Sequence, residues 1–145
     1  MEKHEQAAAA FAQGYNCSQS VLLAFAEELG LSPELAARVA AGFGGGMGRT
    51  GSICGAVTGG VMALGLMHGS TNPDDKVAKE HTAAQARAFF EAFRAEHGSL
   101  TCEDLLGINI ASPEASQRAR EQGLFKARCP LFVAGAAKIA EALKP

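Results

Sequence analysis

Apolar residues recur along this chain at helical spacing, and no segment alternates apolar with polar positions at period two over a convincing length. A first helix is expected over about Glu2–Gln13, with Gly14 as a left-handed stop. Asn16 reads as an N-cap with Gln19 three residues on, and Val21, Leu22, Phe25 and Leu29 share one side of the helix that Gly30 closes. Ser32-Pro33-Glu34 supplies a cap, a first-turn proline and an acid at the positive end, so a third helix runs to about Phe43. A glycine-rich loop follows, then an apolar helix from about Ile53 to Met67 with Ser52 as its expected cap. Asn72-Pro73-Asp74-Asp75 opens the longest helix, which carries Phe89, Phe90 and Phe93 and ends before Gly98. Thr101 starts a short turn of helix stopped by Gly107, and Ser112-Pro113-Glu114 starts a polar, exposed helix that stops at Gly123. The last helix is expected to open at Pro130, with Phe132, Ala136, Ile139 and Leu143 along one face. This pattern predicts an all-α fold, a compact bundle of about seven helices with one glycine-rich loop.

Composition narrows the functional classes. The 145 residues suit one domain, 1–145, long enough to bury a core without disulfides. Alanine is abundant and Trp absent, which favours helices packed through small side chains. The net charge is −2, and the scattered Lys and Arg residues form no basic stripe, so nucleic acid is not an expected partner. The longest apolar row, Ile53–Met67, is about 15 residues against the roughly 20 that a membrane span needs, and no span is expected. The stretch MEKHEQAAAA has neither a secretory apolar core nor a twin-arginine pair, so the reading expects a cytoplasmic protein.

The candidate chemistry lies in four cysteines: Cys17, Cys54, Cys102 and Cys129. In a reducing cytoplasm they point to metal ligation, redox chemistry or ordinary core packing. Cys17 follows the Asn16 cap, Cys54 lies two residues after Ser52, Cys102 follows the Thr101 cap, and Cys129 stands at the cap position before Pro130. All four therefore fall at the N-terminal ends of different helices, where unpaired N–H groups and the helix dipole stabilise a thiolate and raise its reactivity or metal affinity. Arg49 and Arg128, near in sequence to Cys54 and Cys129, add to that effect. The bland alternative is that they are small buried hydrophobes near helix ends. Their spacing matches no zinc-finger or ferredoxin pattern.

The glycines have a packing role. Gly55, Gly59 and Ala63 recur at four-residue intervals, as do Ala56 and Gly60, giving a smooth face that a second helix can approach closely. That approach would bring another cysteine toward Cys54. GMGRTG at Gly46–Gly51 matches a dinucleotide fingerprint by spacing but follows a helical pattern, and Ser52 stands where a Walker lysine would be. His68 lies about 20 Å along its helix from Cys54, and His97, near Cys102, is a minor candidate for a ligand or proton carrier. No Ser/His/Asp set supports a hydrolase.

NCSQSV around Cys17, GFGGGMGRTGSICGAVTGG around Cys54, CEDLLG at Cys102 and CP at Cys129 resemble a small bacterial family of redox-type proteins. The family is named C_GCAxxG_C_C for its four cysteines and a Gly/Cys/Ala-x-x-Gly motif; this chain writes Cys-Gly-Ala at Cys54–Ala56 where the label writes Gly-Cys-Ala. The resemblance covers Tyr15 to the C-terminus. It implies that Cys17, Cys54, Cys102 and Cys129 are the functional set and that an iron–sulfur cluster is the suspected prosthetic group. Three readings stand. The first is electron transfer through a small iron–sulfur cluster, of the 2Fe-2S type, held by the four thiolates. The second is a dithiol enzyme or sensor with Cys54 as nucleophile, its glycine-rich surroundings leaving the sulfur approachable. The third is a structural zinc site, or a metal-free helical binding module. A redox partner protein of unknown identity is expected, and Phe-rich stretches and small-residue faces would permit a homodimer.

Overall fold

Capping chemistry sets most of the helix starts. In the computed structural model, which describes residues 1–145, the chain forms α1 (Lys3–Ala12), α2 (Cys17–Ala26), α3 (Pro33–Val39), α4 (Gly55–His68), α5 (Lys76–His97), α6 (Cys102–Leu106), α7 (Pro113–Glu121) and α8 (Leu124–Ala142), with one turn of 3₁₀ helix at Ala41–Phe43. The fold is all-α, as the pattern predicts, and no helix is long and apolar enough to cross a membrane. Asn16 and Gln19 form the expected capping box at α2, with Gln19 N–H donating to Asn16 Oδ1 at 2.8 Å and Asn16 N–H to Gln19 Oε1 at 2.9 Å. Ser32, Asp75, Thr101 and Ser112 cap α3, α5, α6 and α7 through their side chains.

Two helix starts differ from the sequence pattern. Helix α4 begins at Gly55 with Cys54 itself as the cap residue, because Ser52 is engaged elsewhere. Helix α8 begins at Leu124, right after the left-handed Gly123, so Pro130 lies inside a 19-residue helix and Cys129 is not at a helix end. An interior proline removes the N–H that would bond the Lys126 carbonyl and costs about 3 kcal/mol. Burial outweighs it, since Leu124 and Phe125 pack on an apolar cluster while Cys129, Phe132 and Val133 are buried.

The small-residue face of α4 seats two neighbours. A Cβ added at Gly59 would lie 2.6 Å from the Ser18 carbonyl oxygen, so α2 rests backbone against backbone on α4. One added at Gly60 would run into the Phe89 ring of α5. Around these contacts Val21, Leu22, Phe25, Val57, Leu64, Phe89, Phe93 and Val133 form the main core. A smaller cluster unites Cys102, Leu106, Ile110, Ala119 and Cys129, and Cys17 packs against both. Helix α7 is polar outside, as expected, but seats Ala115, Ser116 and Ala119 inward. Phe89 and Phe93 are fully buried; the exposed large apolar side chains include Leu35, Val39 and Leu66, and also Val77 and Leu131.

An exposed clamp joins the chain ends. Glu28 accepts from Lys3 Nζ and Lys144 Nζ, each at 2.6 Å, tying the start of α1 and the tail beyond α8 to the end of α2. Lys144 first, then Lys3, lowers the Glu28 carboxyl from 4.5 to about 2. A carboxylate whose pKa is depressed on folding stabilises above its unfolded value and loses that contribution as pH falls. The stability difference between wild type and Glu28→Gln should therefore be constant above about 4.5 and vanish near pH 2, measured by denaturant melts across that range.

Candidate functional site

The site is built from four separate pieces of backbone. Cys17 is the first residue of α2, fixed by the Asn16–Gln19 box; Asn16 Nδ2 also donates to the Ala41 carbonyl at 3.1 Å, anchoring the cap to the segment after α3. Cys54 and Cys102 are joined by a single antiparallel bridge between Ile53 and Thr101. Across it Cys54 N–H donates to Leu100 O at 2.8 Å, Cys102 N–H to Ser52 O at 2.6 Å and Glu103 N–H to Gly51 O at 3.1 Å. This pairing occupies Ser52. Gly55 then holds α2 close: a Cβ there would lie 3.1 Å from Cys17 Cβ. Cys129 enters from the second turn of α8.

The glycine loop between α3 and α4 turns the wrong way round. Five consecutive residues, Gly45, Gly46, Met47, Gly48 and Arg49, have φ of 63, 71, 67, 63 and 63°, a short left-handed coil. For residues other than glycine this conformation costs roughly 1–2 kcal/mol each, so the three glycines confine that cost to Met47 and Arg49. Bonds from Gly51 N–H to Gly45 O (3.1 Å) and Ser52 N–H to Gly46 O (2.9 Å) close the coil onto the strand segment that carries Cys54. A Cβ at Gly46 would lie 2.7 Å from Cys102 Cβ, which shows how tightly the coil folds over that cysteine.

All four cysteines line one cleft of about 750 Å³. None is in a disulfide; Cys54, Cys102 and Cys129 are buried, and Cys17 is partly buried. Phe11, Leu105, Leu106, Ile110, Phe125 and Phe132 supply apolar wall, and the only charged lining residues are Arg49, Arg120 and Lys126. Three of the four cysteines occupy the helix starts expected of them, but α6 is only one turn long and contributes little dipole. Cys129 reaches the cleft from the second turn of α8, not from a helix start. Arg128 is not on the cleft; its guanidinium stands 6.0 Å from the Phe132 ring centre. His97 packs behind Phe132 at 5.3 Å between ring centres, with Nε2 buried and unpartnered, and takes no part in the lining. Sequence reading missed Arg120 and Lys126, since only the convergence of α7 and α8 brings them to the cysteines.

The thiols are electrostatically unequal. Cys17 is held as a thiol, its pKa raised well above the ordinary value by the adjoining sulfurs of Cys129 and Cys54 and then by burial. Cys54 is shifted the other way, its pKa lowered first by the neighbouring Cys17 thiol, with burial opposing and the Ala56 and Val57 amides adding to the lowering. Those amides act as oriented dipoles, since Cys54 makes no side-chain cap hydrogen bond. Burial, and then the charges of Cys54 and Cys129, push Cys102 up to about 12. Of these two neighbours, Cys54 is the one that loses its proton more readily and Cys17 the one that keeps it.

Four thiols lining one cleft have the donor chemistry of an iron–sulfur cluster or a zinc site. No three His, Cys, Asp or Glu side chains are grouped so as to hold a metal ion.

A family model described as "Putative redox-active protein (C_GCAxxG_C_C)" matches residues 15–143, which takes in all four cysteines and the coil. No curated protein and no solved structure matches this chain.

Proposed function

We infer, on the premise that this chain belongs to the C_GCAxxG_C_C family of redox-active proteins, that it carries out two-electron thiol–disulfide exchange through Cys54 and Cys17. The observation that carries this reading is geometric: Gly55 seats the start of α2, with Cys17, against the start of α4, with Cys54, in one cleft, and there the Cys17 thiol lowers the Cys54 pKa while its own is raised. The Cys54 thiolate attacks one sulfur of a substrate disulfide, and the other sulfur leaves as a thiolate. A mixed disulfide then joins Cys54 to the retained half of the substrate. With the charge on Cys54 gone, one cause of the raised Cys17 pKa is removed, and Cys17 gives its proton to the departing thiolate. Cys17 attacks Cys54 Sγ and releases the second substrate thiolate. The substrate disulfide is reduced by two electrons and the Cys17–Cys54 pair is oxidised by two.

Competitive alkylation under oxygen-free conditions, read by mass spectrometry, tests the reading. Cys54 should label first and with a pH midpoint below that of an ordinary thiol, while Cys102 stays unlabelled up to high pH. Equal labelling of all four, or stoichiometric iron and sulfide or zinc that protects all four, would overturn it in favour of a thiolate-bound metal centre.

A further inference from the structure

The chain carries a net charge of −2, yet the cleft over the cysteines is lined by three cations and no carboxylate. Arg49, Arg120 and Lys126 come from three different segments and are all solvent-exposed, so they ring the mouth while Cys54, Cys102 and Cys129 form the buried floor. None of the three is in an ion pair; Arg120 donates only to the Gln117 side-chain oxygen, at 3.3 Å. Elsewhere Lys3, Arg87 and Lys144 are paired with glutamates. Arg49 reaches this mouth from the left-handed coil, in a conformation unfavourable for an arginine. Between mouth and floor the wall is apolar, with Phe11, Leu105, Ile110 and Phe125. A ligand reaching the Cys54 sulfur therefore passes a positive rim, then an apolar sleeve.

We propose that the cleft selects small anionic disulfides: molecules carrying carboxylate or similar groups that pair with Arg49, Arg120 and Lys126, joined by an apolar body to the sulfur that meets Cys54. This rests on the thiol-exchange reading above and adds the class of substrate to it. The reaction is the balanced exchange already given, with the anionic disulfide as the oxidant. The cations act by concentrating and orienting the substrate. A focused positive cleft raises the encounter rate of an anion by at least roughly tenfold, and salt screens the gain.

The test compares three disulfides of similar size on the reduced full-length protein: dithiodipropionate (two negative charges), hydroxyethyl disulfide (neutral) and cystamine (two positive charges). Each rate of Cys17–Cys54 disulfide formation is divided by the rate of the same reagent with free mercaptoethanol. The expected order is anionic over neutral over cationic, with roughly a tenfold or greater span from first to last that collapses in concentrated salt. In Arg120→Gln/Lys126→Gln the ratio of anionic to neutral rates should fall toward that of mercaptoethanol, with the melting temperature reporting that the variant is folded. If the neutral reagent forms no Cys17–Cys54 disulfide, the exchange reading fails. If it does, but the normalised rates do not depend on charge, or the double variant keeps the wild-type ratio, the substrate class is wrong.

Discussion

Cys54→Ser is expected to reduce disulfide exchange to the background of the solvent-accessible thiols, while Cys17→Ala stops the reaction halfway. The two outcomes differ because the two sulfurs have different tasks. Serine at Cys54 keeps the cap position and the Ile53–Thr101 bridge, whose bonds use backbone groups only, so the fold stays intact while the nucleophile is gone. Alanine at Cys17 leaves the nucleophile but removes the thiol that does most to lower the Cys54 pKa. Burial at Cys54 is then opposed only by the Ala56 and Val57 amides, so its pKa rises and alkylation near neutral pH slows, with the midpoint of the rate profile moving up. Because no resolving thiol remains at position 17, a mixed disulfide between Cys54 and half the substrate should accumulate. Intact-mass measurement reads that adduct directly, and iodoacetamide rates between neutral and alkaline pH read the midpoint. If Cys17→Ala still forms an intramolecular disulfide at Cys54, or if the midpoint stays where it is, Cys17 is not the partner.

How far this site could be read from sequence depended on whether the information was local. Caps are local chemistry, so Asn16, Ser32, Thr101 and Ser112 were legible and set the starts of α2, α3, α6 and α7 correctly, two of which carry a cysteine. Ser52 has the same chemistry, but its carbonyl and amide are engaged in bonds to Cys102 and Gly46, and the cap falls to Cys54, two residues beyond it. Pro130 follows the local rule for a helix start and breaks it here, because the apolar contacts of Leu124 and Phe125 extend α8 backward through the proline. The small-residue face was visible as a period of four, but its occupants, the Ser18 backbone and the Phe89 ring, belong to tertiary packing. The left-handed coil was visible only as a density of glycine. Nothing in the sequence marked Met47 and Arg49 as sharing its conformation. Arg128, adjacent to a cysteine in the chain, turns away to Phe132, whereas Arg120 reaches the cleft from another helix.

The packing that brings Cys17 to Cys54 carries the largest expected stability effect. Gly59→Ala places a methyl 2.6 Å from the Ser18 carbonyl oxygen and 3.1 Å from its Cα, both backbone atoms of α2 that cannot rotate aside. Helix α2 must lift from α4, at a cost of about 1–3 kcal/mol for overpacking a tight contact. Gly65→Ala in the same helix is the matched control, since an added Cβ there meets nothing within 4 Å. Alanine replaces glycine in a helix interior at that position and should stabilise by about 0.5–1 kcal/mol. The same methyl thus has opposite signs ten ångströms or less apart, at roughly 1.5 Å rise per residue. Denaturant midpoints at unchanged m-value measure the difference. The coupling to function is the sharper outcome. Ser18 is the residue after Cys17, so lifting it draws the resolving thiol away from Cys54. In Gly59→Ala the Cys54 labelling midpoint should move up in the direction of the Cys17→Ala variant, whereas Gly65→Ala keeps the wild-type profile. A Gly59→Ala protein as stable as wild type would mean that α2 and α4 do not meet through backbone. If it is destabilised but keeps the wild-type Cys54 midpoint, the thiol pair does not depend on that contact.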